Sequence, residues 1–267
     1  VLGNKDWLAS VSCSAGPAFE GAGIKFGMRA TRGAIEEVSI NHRTYESMIL
    51  TLGRSKPIGI CGSGLIDSVA EFLETGMIDQ NGKFRRDLPT DRVRIGPDGY
   101  EYVLALREET LIHEDIVLTE IDIENLIRTK AAIYAGCKVL LSSVGLSFKD
   151  LEQFIIAGGF GRHLDLEKAI FIGLLPEIDI EKFLFVGNGS LLGARLLSFS
   201  KNLLREAERI ALMMTNLELS NHPTFMNEFI AATFLPHTDS SAFPLTMERI
   251  YRVRREFRPE RMVEGRP

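Results

Sequence analysis

The stretch Phe154-Ile155-Ile156-Ala157-Gly158-Gly159-Phe160-Gly161 decides the fold predicted for this chain. Its four leading apolar residues predict a strand that is buried on both faces of a sheet. The glycines that follow allow the backbone to turn sharply and to approach a ligand without an intervening Cβ. A phosphate, a ribose or an adenine could lie on such a turn. The alternative is that Gly158, Gly159 and Gly161 only turn a strand into a short helix.

The same arrangement recurs 29 residues later, where Phe183-Leu184-Phe185-Val186 runs into Gly187-Asn188-Gly189-Ser190. Asn188 or Ser190 is predicted to cap a long helix that continues to about Met213. Strand, turn and helix twice in succession predict crossovers in a largely parallel sheet, and ligands bind beyond the carboxyl ends of such strands. We therefore expect the two glycine turns to meet at one cleft.

A loop of small residues, Ser12-Cys13-Ser14-Ala15-Gly16-Pro17-Ala18-Phe19-Glu20, follows a strand predicted at residues 7–11. If Pro17 lies in the first turn of a helix, the free N–H groups around it would favour a bound anion by about 0.3–1 kcal/mol. Glu20 is a weak catalytic candidate, since it could orient a metal-bound water or simply cap a backbone N–H. A tight crossover packed by small residues is the alternative.

Two further helices are predicted from apolar periodicity. Gly59-Ile60-Cys61-Gly62-Ser63-Gly64 precedes an amphipathic helix at residues 65–74, but lacks the lysine of a P-loop and the full dinucleotide fingerprint. The longest helix is predicted to begin near residues 119–122 and to end at about Val144, before Gly145. Arg128 and Lys130 lie off its apolar stripe and are expected on a charged face.

The composition excludes several classes of protein. A net charge of -5 and a pI of about 5.7 give no global attraction to nucleic acid or to an anionic membrane. The chain shows neither an apolar run of the roughly 20 residues that span a bilayer nor the basic-then-apolar order of a signal peptide, so a cytoplasmic location is expected.

Cys13, Cys61 and Cys137 are too few and too scattered for a disulfide framework or a metal site within one chain. A cluster shared across a dimer interface remains open.

The domain organisation is predicted as one domain over residues 1–236 and a basic carboxy-terminal tail over residues 237–267. The tail is either a terminal helix or a loose solvated segment, and its arginines are Arg249, Arg252, Arg254, Arg255, Arg258 and Arg261. The chain begins without a methionine, and Val1-Leu2 reads as the end of a strand whose start is missing. We therefore expect a fragment.

Four motifs together resemble one protein family: residues 14–24, 59–67, 157–161 and 185–188, in this order. In this combination the chain resembles the carboxy-terminal domain of the reductive activators of corrinoid proteins over residues 1–236. Those activators belong to the superfamily of acetate and sugar kinases, heat-shock chaperones and actin. The resemblance implies an α/β fold of the actin-like ATPase (ribonuclease H-like) type, with a mixed sheet and flanking helices.

The resemblance also implies a function. It is that of an ATP-dependent activator which returns the Co(II) corrinoid of a methyl-transfer protein to Co(I). This chain would be the part that binds ATP with Mg²⁺ and pairs with its copy in a homodimer. An amino-terminal ferredoxin domain would supply the electron from a 2Fe–2S cluster, and a corrinoid protein would be the partner.

The resemblance places individual residues as well. Gly158, Gly159 and Phe160 match the superfamily's adenosine motif, and the second turn, with Gly187 and Asn188, is expected in the same site. The helix that carries Arg128 and Lys130 corresponds to the helix that flanks the nucleotide base. The residues expected beside the phosphates are Ala15, Gly16, Pro17 and Glu20.

The sequence departs from the family pattern at its amino end. The ferredoxin cysteines, the first half-domain and an Asp-Ile-Gly-Thr phosphate loop that should precede Val1 are missing, so we expect one piece of a longer polypeptide with poor activity in isolation. Two other classes stay open. One is a related enzyme, either a small-molecule kinase or an activase of hydroxyacyl-CoA dehydratases whose cluster cysteine falls near Cys13. The other is a non-catalytic module that binds nucleotide only to regulate docking.

Overall fold

The computed structural model describes residues 1–257 as a mixed α/β protein. Its strands, in chain order, are β1 (Leu2–Gly3), β2 (Leu8–Val11), β3 (Ala34–Ile40), β4 (Ser47–Thr51), β5 (Gly59–Ile60), β6 (Val93–Gly96), β7 (Gly99–Ala105), β8 (Ile116–Thr119), β9 (Phe154–Ala157), β10 (Phe183–Gly187) and β11 (Met214–Leu217). Its helices are α1 (Gly62–Glu74), α2 (Glu120–Ser142), α3 (Leu166–Phe171), α4 (Gly189–Leu197), α5 (Lys201–Leu212), α6 (Phe225–Ala232) and α7 (Pro244–Phe257).

The described strands form four small sheets, with the orders β1-β2-β11, β9-β10, β4-β3-β5 and β6-β7-β8. Strand β2 pairs with β11, β3 with β5 and β9 with β10 in parallel, and the other neighbours are antiparallel. The β9–β10 pair is a parallel crossover, as the first strand–turn–helix repeat predicts. The prediction of a largely parallel sheet is wrong for the described strands, because four of their seven pairings are antiparallel.

Helix α1 lies at the centre of the hydrophobic core. Its apolar residues recur at three- and four-residue spacing, and Leu65, Ile66, Val69 and Phe72 are each at most 1% exposed. The ring of Phe72 packs against that of Tyr102 in β7, with 4.8 Å between centroids. Burying each side chain of this size contributes about 1.5–3 kcal/mol, so α1 holds the sheets around it together.

Helix α2 begins and ends where its capping residues predict. Thr119 accepts a hydrogen bond from the N–H of Asp122 at 3.1 Å, and the Asp122 carboxylate accepts one from the N–H of Thr119 at 2.9 Å. Such a capping box satisfies two N–H groups that the first turn leaves without helical partners. One prediction for α2 is wrong: Lys130 is fully buried, and does not lie on the charged face.

The region around β9 and β10 differs from its prediction in two ways. The strand β9 is not buried on both faces, because Ile155 is 56% exposed and half-buried and exposed residues alternate along it. The long helix predicted up to Met213 is two helices, α4 and α5, separated at residues 198–200. Ser200 begins the second one by accepting a hydrogen bond from the N–H of Asn202 at 3.2 Å.

The packed core continues beyond residue 236, into the segment that the sequence assigned to a basic tail. Helix α7 buries Met247, Ile250 and Val253, and Arg249 makes an ion pair with Glu74 of α1 at 2.8 Å. The predicted role of Arg258 and Arg261 in a tail lies outside the described residues. Within residues 1–257, every helix is too short or too polar to cross a bilayer.

Candidate functional site

The two glycine turns meet at one edge of the β9-β10 sheet, as the sequence predicts. The N–H of Gly158 donates a hydrogen bond to the carbonyl oxygen of Gly187 at 2.6 Å. Because β9 and β10 are parallel neighbours, their carboxyl ends lie side by side and both turns leave the sheet together. The residues of these two turns form the first group of candidate site residues.

The turns leave open space beside their backbone. A Cβ placed on Gly158, Gly159 or Gly187 would meet no heavy atom within 4 Å. Gly158 and Gly187 have φ values of 117° and 64°, which favour glycine, whereas Gly159 has an ordinary helical φ of -66°. A flat or anionic ligand could therefore reach the backbone here, so the residues present fit a nucleotide.

The neighbours of these glycines have defined positions. The Asn188 side chain accepts a hydrogen bond from the N–H of Leu191 at 2.9 Å and thereby caps α4. Phe160 begins the one-turn helix Phe160–His163 that follows β9; its side chain is outside the described set. The short helix predicted after the glycine turn is therefore a single turn.

The loop of residues 12–24 forms the second group of candidates, and its helix is shorter than expected. Only one turn, Ala18–Glu20, is helical, with Pro17 just before it. The N–H of Ala15 donates to the carbonyl oxygen of Cys13 at 3.1 Å. A single turn does not add up a macrodipole of any size, so the helix-dipole argument for an anion at Gly16 does not apply. Glu20 is exposed.

This loop is attached to α2 by two side chains that the sequence reasoning missed. The Asp122 carboxylate accepts a hydrogen bond from the N–H of Lys25 at 2.8 Å, and the amide of Asn125 donates to the carbonyl oxygen of Gly23 at 2.8 Å. A Cβ on Gly16 would lie 3.9 Å from Thr129 Oγ1 of the same helix. Asn125 precedes Arg128 by three residues, and that helical spacing is the signal that could have found it.

The two basic candidates on α2 have different surroundings. Arg128 is exposed, and its guanidinium pairs with Glu124 at 2.5 Å on the helix surface. Lys130 Nζ donates hydrogen bonds to the carbonyl oxygens of Phe234 and Pro236 at 2.7 and 2.6 Å. Burial lowers the pKa of Lys130 well below its ordinary value. Arg128 therefore stays a candidate on the surface of α2, whereas Lys130 supports the buried segment at residues 234–236.

A buried ionic cluster lies next to the helix that follows the glycine turn, and no sequence pattern indicated it. Lys168 Nζ lies 3.0 Å from an Asp67 carboxylate oxygen, 3.2 Å from one of Glu71, and 2.8 Å from the carbonyl oxygen of Val38. The two carboxylates accept hydrogen bonds from the N–H groups of Val38 and Ile40. The cluster thus satisfies the backbone of β3 where β5 no longer pairs with it.

Burial and the charges of the cluster act in opposite directions on the pKa values of Asp67 and Lys168. Burial raises the pKa of Asp67 to about 6, although the charge and hydrogen bond of Lys168 act in the opposite direction. The pKa of Lys168 is raised, because the Asp67 and Glu71 charges outweigh the loss of solvent. Asp67, Lys168 and His163 also line an open cavity of about 710 Å³.

Comparison with known proteins decides the family. A family model described as the C-terminal domain of RACo, the ASKHA domain, matches residues 1–247. The chain belongs to this family. The predicted actin-like ATPase fold is thereby confirmed, since this ASKHA domain has the mixed α/β architecture expected from the resemblance.

Relatives of this ASKHA domain include two curated proteins. The chain is 35% identical over 242 residues to the corrinoid activation enzyme RamQ of Eubacterium limosum, a match that covers 87% of this chain and 40% of that protein. It is 28% identical over 247 residues to the Co(II) methylated amine-specific corrinoid protein reductase of Methanosarcina barkeri, with 84% of this chain and 42% of that protein covered. The chain thus spans well under half the length of these relatives.

A solved structure supports the same assignment. The chain is 53% identical in sequence to a reductive activator for corrinoid, iron-sulfur protein, and the two structures superpose with a TM-score of 0.86. The match covers 91% of this chain and 39% of that chain. At this identity and TM-score the two domains share their detailed topology.

Proposed function

We propose that this ASKHA domain binds ATP with Mg²⁺ and, as part of a longer polypeptide, drives the reductive activation of a corrinoid methyl-transfer protein from Co(II) to Co(I). The observation that carries the proposal is the open backbone of the paired glycine turns at Gly158 and Gly187. The proposed action on a corrinoid protein is supported by the relatives, whose names describe activation or reduction of corrinoid proteins.

The chain's own residues would act by binding and positioning the nucleotide. Gly158, Gly159 and Gly187 would offer backbone to the adenosine. Arg128 and Asn125 on α2 would flank the loop that contains Ala15, Gly16, Pro17 and Glu20, which we assign to the phosphates. Nothing in this set acts as a base except Glu20, whose exposed carboxylate could hold a metal-bound water.

ATP would serve to change the shape of the activator. Reduction to Co(I) is an uphill electron transfer for an ordinary ferredoxin, so we propose that nucleotide alters the activator's contact with the corrinoid protein. A ligand shifts a conformational equilibrium only if it binds the two states with different affinity. The 2Fe–2S ferredoxin domain, the homodimer and the cytoplasmic location remain predictions that accompany this proposal.

The test is a calorimetric titration of ATP and Mg²⁺ into the full-length polypeptide, with Gly159→Val as the variant. Gly159 has a φ that valine can adopt and open space around its Cα, so the substitution should leave the fold intact while its side chain fills the ligand's place. Gly193→Val, in α4, is the matched control because a side chain there also meets open space.

We expect ATP binding by the wild type and by Gly193→Val, and none measurable by Gly159→Val. The same three proteins would then be assayed for reduction of a Co(II) corrinoid protein by its visible spectrum. Binding that survives Gly159→Val would remove the nucleotide from the glycine turn. Normal binding without reduction by any of the proteins would favour a docking module.

A further inference from the structure

The glycine turn after β9 continues into a short segment, residues 158–171, that is fixed at both of its ends. The segment contains the turn itself, the single helical turn Phe160–His163, and α3. At its start, the N–H of Gly158 donates to the carbonyl oxygen of Gly187 at 2.6 Å, which attaches the turn to β10. At its other end, Lys168 attaches α3 to α1 and β3. The position of the turn therefore depends on both attachments.

The ammonium group of Lys168 bonds to two elements other than its own. It lies 3.0 Å from a carboxylate oxygen of Asp67 and 3.2 Å from one of Glu71, both in α1. It also donates to the carbonyl oxygen of Val38 in β3 at 2.8 Å. An ammonium group has three N–H donors, so these three oxygen atoms use all of them. The bonds thus fix where α3 lies against α1 and β3.

Other contacts define the position of α3 less sharply. The helix is only six residues long, and helices of this length are not stable without tertiary contacts. Its buried side chains, Ala169 and Phe171, pack in the core, but apolar packing has no directional bonds. His163 Nδ1 lies 3.9 Å from a carboxylate oxygen of Glu36, and its side chain is more than half exposed, so this pair contributes little.

The energetics of buried charge favour a role in positioning over a role in stability. Burial acts against the charged forms of both Asp67 and Lys168. Well-packed apolar side chains of similar volume often stabilise a core as much as a buried ion pair or more. What the ion pair adds is a defined register between the elements that it joins, as in coiled coils where one buried polar residue sets the pairing.

We propose that Lys168 is a positioning residue of the nucleotide site, which holds the glycine turn of β9 where the turn receives the nucleotide. Lys168 would act through residues 158–167 without touching the ligand. The inference rests on the proposed function, since it concerns the same turn. A displacement of about 1 Å caused by a distant substitution can cost an enzyme about 100-fold in rate. Loss of one attachment should therefore be measurable at the turn.

Three variants of the full-length polypeptide test the proposal. Lys168→Met removes the ammonium group but keeps most of the stem and suits a helix. Lys168→Arg keeps a charged donor for the two carboxylates of α1. Lys182→Met is the matched control, because Lys182 Nζ also donates to a backbone carbonyl oxygen, that of Leu151 at 2.6 Å, but lies outside residues 158–171.

Lys168→Met is expected to fold, because Asp67 can take up a proton. Lys168 lowers the pKa of Asp67, so its removal raises that pKa further above the present value of about 6. Asp67 is then largely neutral at pH 6–7, and no unpaired charge is left buried at this position. Its carboxyl oxygen can still accept the hydrogen bond from the N–H of Val38.

Hydrogen exchange without nucleotide measures the attachment itself. The amides of Gly158 and Ala169, which are bonded to Gly187 and Asp165, are the probes. The amide of Val103 in β7, bonded to Arg92, is the internal control. In Lys168→Met we expect both probes to exchange at least about tenfold faster and Val103 to change less than about twofold. Equal acceleration of all three amides would show that Lys168 serves general stability, and would overturn the proposal.

Calorimetric titration of ATP and Mg²⁺ into the same proteins measures the consequence for the site. The dissociation constant should rise at least about tenfold in Lys168→Met, because a smaller fraction of molecules has the turn in its binding position. Lys168→Arg and Lys182→Met should stay within about threefold of wild type. Saturating ATP should also restore slow exchange of Ala169 in Lys168→Met, since a ligand shifts the protein toward the state that it binds.

The outcomes separate this inference from the proposed function. Wild-type affinity for ATP in Lys168→Met would overturn the positioning role and leave the nucleotide site in place. Absence of ATP binding by the wild type would overturn the proposed function and the positioning role with it. If Lys168→Met does not fold, Asp67→Asn replaces it, because it removes one charged partner of Lys168 and keeps an acceptor for Val38. Unchanged exchange of Gly158 and Ala169 in Asp67→Asn, with unchanged ATP affinity, would then contradict the proposal.

Discussion

At the scale of single residues, Lys130 shows how a charged side chain can serve the core. Its Nζ donates to the carbonyl oxygens of Phe234 and Pro236, and none of its surface is exposed. Lys130→Met keeps most of the aliphatic stem and leaves both buried carbonyls without their donor. We expect the free energy of unfolding to fall by about 2–5 kcal/mol, because each such group costs about 1–3 kcal/mol.

Urea denaturation measures this loss, and α2 offers a matched control. Lys138 lies on the same helix, but its ion pair with Glu228 is partly exposed. Lys138→Met should therefore cost no more than about 1 kcal/mol. Equal effects of the two substitutions would mean that Lys130 is not the support of the 234–236 segment.

Asp67 makes the free energy of unfolding depend on pH, and its raised pKa sets the direction of that dependence. Its pKa is about 6 in the fold, above the ordinary value of 3.8. The folded protein therefore binds more protons than the unfolded chain between these two values. The contribution of Asp67 to stability is fully present below about pH 4 and is lost as the pH rises to 6, by up to about 1.4 kcal/mol per pH unit.

Urea denaturation of Asp67→Asn across this range tests the sign. Relative to wild type, the variant should gain stability from pH 4 to 6 and then level off. Asp150→Asn is a control of opposite sign whose pH dependence lies below about pH 4, since hydrogen bonds from Ser147 lower the pKa of Asp150 from 3.8. A difference between Asp67→Asn and wild type that does not change with pH would mean that Asp67 titrates normally.

At the scale of elements, α1 and α5 have similar amphipathic patterns but different surroundings. Leu65 of α1 is 1% exposed and Leu204 of α5 is 47% exposed. Leu65→Ala should lower the free energy of unfolding by about 2–5 kcal/mol, because it leaves a cavity in the core. Leu204→Ala should change it by less than about 0.5 kcal/mol. Thermal or urea unfolding of this chain measures both, and a large effect at Leu204 would reveal packing on α5.

Local signals explain which elements could be predicted from the sequence. The start of α2 at Thr119, its end before Gly145, and the turns at Gly158 and Gly187 follow from caps and glycines that act within a few residues. The break at Ser200 is also local, since Ser200 caps α5. The exposure of Ile155 and the burial of Lys130 depend on which distant segments pack there. Periodicity alone does not report that packing, so the site's backbone was predictable and its side-chain surroundings were not.

At the scale of the whole molecule, the carboxy-terminal segment closes the core. Phe243 and Ile250 are fully buried, and Phe243 packs on Tyr134 with 5.6 Å between ring centroids. Arg249 adds an ion pair with Glu74 that reaches back to α1. A chain that ends at residue 236 would expose the apolar surface that these side chains cover, so the boundary drawn from sequence motifs would cut through the packed domain.

Shortening the chain at residue 236 should therefore abolish cooperative unfolding, rather than trim a solvated tail. Removing Phe243, Met247 and Ile250 together takes away several kcal/mol of burial, at about 1.5–3 kcal/mol for each large side chain. A domain with a total stability of about 5–15 kcal/mol does not withstand that loss easily. Circular dichroism melting of residues 1–236 and of the longer chain measures whether cooperative unfolding is lost. A cooperative melt of residues 1–236 within a few degrees of the longer chain would show that α7 is an accessory helix.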